Sequence, residues 1–312
     1  MFLEVPAPAV LAPPRLARPA LARRLLRGMP PYLYLAPSLA LLVIWTYRPL
    51  VQTAQLSFYS WNLLPTQPMT PVGLENYRRL FQLPQVGDSV LRTLEVIVGL
   101  LPFTIILPVV VGLLTQRIHG RARGLYQALV FAPLLVAPVA SATVWEWLLD
   151  PSGGIVNRVL GTKTNWLHDT TWAQPAIIVM TGWHLIGFAV LVVTAGLANI
   201  NRDYTEAAML DGASRGQITR WITMPLLSPT LVFLGLMTVL LSAQWAFPLI
   251  DTITQGGPSG ATTNVYYLLW DFSFHSFDAG TSTAAGMLLF VGFGVVAAVL
   301  VLLSEKLTVH DD

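Results

Sequence analysis

Six long apolar runs set the terms on which this chain can fold. They cover roughly residues 32–58, 90–115, 125–149, 174–199, 224–249 and 281–304. Each supplies about 20 residues of helix, the length that crosses a hydrocarbon layer of about 30 Å. None alternates apolar and polar residues with period two, which disfavours a membrane β-barrel. Only 11% of the residues are charged against 54% hydrophobic, whereas a water-soluble chain carries about 25% charged. The expectation is an all-α polytopic membrane protein with six spans, in one transmembrane domain over 31–308.

Residues 1–30 differ. Prolines at 6, 8, 13, 14 and 19 oppose a stable helix, so a disordered tail is expected. A cleaved signal peptide competes weakly, because the apolar run after the arginines exceeds a signal's core. Positive charge then orients the helices. If the spans alternate, twelve of the eighteen Lys and Arg residues share a side: five in the tail, Arg117, Arg121, Arg123, Arg202, Arg215, Arg220 and Lys306. Arg78, Arg79, Arg158 and Lys163 fall opposite, while Arg48 and Arg92 sit near expected helix ends. The positive-inside rule places both termini in the cytoplasm. Trp45, Tyr47, Tyr59 and Trp61 are expected as an interfacial belt at the outer end of the first helix.

Between the fourth and fifth runs lies a polar island, Asn201 to Pro225. Asp203 with Glu206, and Ser214 with Gln217, read as two capping boxes. Gly212 stands where the first short helix should stop, and Pro225 where the next span should open. Ala207 and Ala208 leave a smooth face that another surface can approach. The island reads as two short helices with a tight joint, spanning about 200–223.

Those residues carry a resemblance. Glu206-Ala207-Ala208, Gly212, Ile222, Met224 and Pro225 stand in the order and spacing of the signature loop of binding-protein-dependent ABC importer permeases. Met224 replaces the usual Leu. Val72 to Tyr77 with Leu80-Phe81 is similar to the carbohydrate-uptake branch. So are Gly120-Arg121 through Asn157, and Phe247-Pro248, Asp251 and Thr254 to Thr263. The sugar and glycerol-3-phosphate permeases are the nearest type. The likeness spans about Leu35 to Glu305, with Arg92 where Asn is usual and Ala132 where Leu is usual. It implies a type I importer permease fold in a bacterial or archaeal cytoplasmic membrane. It also implies a loop, with Asp203, Glu206, Ala207, Ala208, Asp211, Gly212, Ile222 and Pro225, that couples to a separate ATPase dimer. The further implied partners are a second homologous permease, an extracytoplasmic substrate-binding protein and membrane lipid. ATP and magnesium would sit in the partner ATPase, and no cofactor is expected in this chain.

No engine is visible in the sequence itself. A phosphate-cradling Gly-x-x-x-x-Gly-Lys-Ser/Thr is missing, as are His-Glu-x-x-His and Gly-x-Ser-x-Gly. The five histidines show no metal-ligand spacing, and there is no cysteine for thiolate chemistry. A net charge of +2 gives no footprint for nucleic acid. The chain is therefore expected to be no enzyme. An ion-gradient-driven secondary transporter is the alternative; it predicts an internal repeat and midplane acids, and neither is evident.

Polar groups at membrane depth are the candidates for a solute path. They are Trp145, Glu146, Trp183, His184, Gln244, Trp245 and Asp251. Three have a plainer reading beside them: Trp145 as a belt aromatic, Glu146 as a side chain reaching the interface, His184 as a packing histidine. Arg92 and Glu95 read as a local i, i+3 pair. Trp245 with Gln244 is favoured for contact with a sugar, through an aromatic face and an amide. Few arginines lie deep, so a neutral sugar, glycerol 3-phosphate and a glycerophosphodiester all stay open.

Overall fold

The computed structural model describes residues 34–307, except 65, 67, 116, 117, 119 and 120. The tail expected over 1–30 lies outside the described residues. Backbone contacts divide the chain into two compact units, one ending at Gln52 and one starting at Thr53. Helix α1 (Tyr34–Leu56) runs from one into the other. In the first unit every residue from Tyr34 to Pro49 is exposed. A helix apolar on all sides with no buried face is suited to lipid.

The second unit begins with a two-stranded antiparallel ribbon, β1 (Tyr59–Ser60) and β2 (Thr70–Pro71). Helices follow: α2 (Glu75–Gln82), α3 (Pro84–Thr115), α4 (Arg121–Leu135), α5 (Pro138–Leu148), α6 (Ile155–Leu160), α7 (Ala173–Ala198), α8 (Arg202–Leu210), α9 (Arg215–Thr254), α10 (Val265–Phe274) and α11 (Ala279–Leu307). Among the described residues α1, α3, α7, α9 and α11 are long and apolar enough to cross a membrane. The run expected as a span over 125–149 is not one straight helix. It is two helices, α4 and α5, bent by 105°. Pro133 weakens the last turns of α4. Pro138 forces Ala137 into the extended region, at φ −61° and ψ 134°.

Helix α7 is the hub. Its glycines admit a different neighbour at each level: the Phe103 ring of α3 at Gly182, the α4 backbone at Val130 and Phe131 at Gly187, and Leu227 and Thr230 of α9 at Gly196. Small residues allow such approach, and packing rather than water exclusion holds helices together in lipid. Val96, Leu100, Ile177, Met180, Ala246 and Ile250 form one buried cluster, and Val109, Val193, Leu197, Leu227 and Leu234 another. Between them Thr238 donates to Thr104 Oγ1 at 2.9 Å, bridging α9 and α3.

Three wide π turns, Val43–Tyr47, Pro102–Ile106 and Thr219–Thr223, each end two residues before a proline: Pro49, Pro108 and Pro225. A proline ring collides with the carbonyl four residues back. One inserted residue moves that carbonyl aside, and the helix continues. The device explains why α1 runs past Pro49. Trp45 and Tyr47 consequently lie mid-helix, and of the four expected belt aromatics Tyr59 and Trp61 alone follow its C-terminal end. Arg48 is likewise mid-helix. Pro84 starts α3 six residues before the expected run, so Arg92 lies about two turns inside it.

Candidate functional site

The polar island folds into an elbow. Asn201, extended at φ −61° and ψ 130°, is the N-cap of α8, and its side chain accepts from the Asp203 amide at 3.0 Å. The expected Asp203–Glu206 capping box is thereby corrected. Asp203 falls inside the first turn, where an acidic side chain favours the positive helix end. Gly212 closes α8 as expected, with φ +81°. Its amide donates to the Met209 carbonyl at 3.1 Å, and the Ala213 amide to Ala208 at 2.9 Å. The Ser214–Gln217 box forms on both sides: the Ser214 amide donates to Gln217 Oε1 at 2.7 Å, and the Gln217 amide to Ser214 Oγ at 3.4 Å.

The second short helix does not exist as a separate piece. Arg215 opens α9, which runs unbroken for 40 residues to Thr254. Pro225 is therefore no helix start; the preceding π turn carries the helix through it. The elbow is fused to a span, with Ile222 and Pro225 half-buried and Thr223 buried in that junction. No residue of α8 is buried. Glu206, Ala207, Asp211 and Gly212 are exposed, and Leu210 is 90% exposed.

The solute-path candidates do not share one environment. Trp145 of α5 meets Trp183 of α7 edge-on, with ring centres 5.6 Å apart. Trp145 and Trp245 both pack on the cluster containing Val96 and Ala246. His184 continues α7 without interrupting it, and its Nδ1 is buried with no hydrogen-bond partner among the described residues. Glu146 and Gln244 are exposed. Asp251 is half-buried in the π turn that ends α9. Arg92 and Glu95 pair as expected, Nη1 lying 3.0 Å from both carboxylate oxygens.

A cleft at the far end of α9 was not legible in the sequence. It has a volume of about 530 Å³ and lies among the first turns of α3, the loop 255–263 and α10. The loop is pinned by its own side chains. Thr254 and Thr262 hydroxyls meet at 2.8 Å, Asn264 donates to the Ala243 carbonyl at 3.0 Å, and the Val265 amide donates to Thr93 of α3 at 3.1 Å. Burial, then the carboxylates of Asp271 and Asp251, push the Tyr267 phenol above its ordinary range. No cluster of three or more metal-ligating side chains occurs among the described residues.

Residues 81–309 match the family described as binding-protein-dependent transport system inner membrane component. The trehalose/maltose transport system permease protein MalF of Thermococcus litoralis is 32% identical over 83% of this chain and 88% of its own. The sn-glycerol-3-phosphate transport system permease protein UgpA of Pectobacterium atrosepticum is 31% identical over 85% and 92%. In fold, the chain superimposes with a TM-score of 0.81 on a chain from the crystal structure of a bacterial ABC transporter that imports the acidic polysaccharide alginate. That likeness covers 93% of this chain and 99% of the other at 24% identity.

Proposed function

The chain belongs to the family of inner-membrane components of binding-protein-dependent transport systems, and on that premise we propose that it forms half of the translocation path of an ATP-driven importer, coupled to a separate ATPase through the elbow at 201–225. The solute is a sugar or a glycerol-3-phosphate-like molecule, the classes carried by the relatives. The α4–α5 pair counts as one bent crossing, giving six, with both termini and the elbow in the cytoplasm of a bacterium or archaeon. A second homologous permease completes the path, and an extracytoplasmic binding protein delivers solute.

One observation carries the reading: the elbow is capped at both joints and continuous with α9. A push on α8 reaches the membrane-spanning region without a flexible link, through the Gly212 turn and then 40 residues of helix. Closure of an ATPase dimer under two such elbows would tilt the spans and switch access between the two faces. Affinity purification of the tagged chain from its own host in mild detergent is the test. An ATP-binding-cassette subunit and a second permease should co-purify. Purification alone, with uptake driven by an ion gradient, would instead make it a secondary transporter.

A further inference from the structure

The cleft at the far end of α9 has the size of a small-molecule site, within the roughly 300–1,000 Å³ such sites occupy. On the proposed reading the elbow is cytoplasmic, so this cleft opens on the outer face. Its lining is polar: amides from Gln85 and Gln255, hydroxyls such as Ser259, the phenol of Tyr267, and the carboxylates Asp88 and Asp271. Arg92 is the sole cation among the described lining residues.

That arginine is engaged elsewhere. Its Nη1 contacts both oxygens of Glu95 at 3.0 Å, so its charge is matched by a neighbour outside the cleft lining. Asp88 has no ion-pair partner among the described residues. Among the described residues the Asp271 carboxylate has one ion-pair contact, the imidazole of His275, with Nδ1 2.9 Å from Oδ1. The cleft lining therefore holds two carboxylates against one cation. A phosphate monoester or uronate entering here meets two carboxylates against a single guanidinium, one that already shares its charge with Glu95. An uncharged polyhydroxyl compound meets amides and hydroxyls that can donate and accept in turn.

We propose that this cleft is an outer binding site for an uncharged sugar and that Asp88 and Asp271 exclude anionic solutes from it. The proposal rests on the importer reading and selects among the solutes left open there, siding with a neutral glycoside against glycerol 3-phosphate.

Saturation-transfer NMR on the full chain in lipid nanodiscs tests it with three probes: maltose, trehalose and glycerol 3-phosphate. At least one of the two sugars should bind saturably. Glycerol 3-phosphate should bind about tenfold more weakly or worse, the ratio that one like-charge contact of about 1.4 kcal/mol produces. Asp88→Asn with Asp271→Asn should narrow that gap. Gln85→Trp, at an exposed helical position, should fill the cleft and remove sugar binding. Arg92→Gln should leave the order of affinities unchanged. Glycerol 3-phosphate binding as tightly as the sugars, its loss in Arg92→Gln, or binding by neither sugar overturns the proposal. The assay needs no ATPase, so its failure beside a co-purifying ATPase sinks the cleft alone. Sugar binding by a chain that recruits no ATPase sinks the importer reading alone.

Discussion

Gly212→Pro should cut solute uptake by about tenfold or more while the chain still assembles with its ATPase. Two requirements meet at this residue. Its φ of +81° is closed to proline, which is fixed near −65°. Its amide donates to the Met209 carbonyl, and proline has none to give. Breaking both costs about 3 kcal/mol locally, more than a hundredfold in the occupancy of the turn. The cost falls on the elbow, since nothing lies within 4 Å of a side chain at that position. The buried clusters are therefore left intact, and ATP hydrolysis should run on without transport. Gly212→Ala keeps the amide and meets only the left-handed penalty of about 1–2 kcal/mol, so it should lose less. Wild-type uptake by a normally assembled Gly212→Pro complex would contradict the account of the elbow.

Gly187→Leu should act on stability instead. A Cβ at Gly187 would stand 2.7 Å from the Val130 carbonyl oxygen and 3.2 Å from the Phe131 Cα. Both are backbone atoms of α4, so no rotamer change relieves the collision and α7 must part from α4. Overpacking of this kind costs about 3 kcal/mol. For a chain of this size that corresponds to a fall of about 5 °C in melting temperature. Gly235→Ala is the matched control. The nearest atom there is 3.9 Å away, and alanine gains a little helix propensity. Equal melting temperatures for Gly187→Leu and Gly235→Ala in the same detergent would show that α7 is no hub.

Local rules made part of this molecule legible. The Ser214–Gln217 box and the Gly212 stop depend on side chains within three residues of the backbone they serve, and both formed. Asn201 was missed for a related reason: Asp203 and Glu206 satisfy the same template two residues later, and only the backbone angle at Asn201 decides between them. Pro225 misled because a proline after a polar stretch has two solutions, a helix start or a π turn within a continuing helix. The sequence around it suits both. The bend near Pro138 was hidden by length, since the 125–149 run is long enough to cross unaided. The cleft was beyond local reasoning. Asp88 and Tyr267 meet only after three elements pack, although Asp88 and Arg92, four residues apart, already shared a helix face.

The absence of cysteine from the chain permits one direct measurement of the central claim. A single Ala207→Cys, at an exposed position on α8, can be probed with a membrane-impermeant thiol reagent and then with a short crosslinker. The account predicts labelling in inverted membrane vesicles, none in intact cells, and a crosslinked adduct with the ATPase subunit. Labelling from outside intact cells, or an assembled complex giving no ATPase adduct, would contradict it.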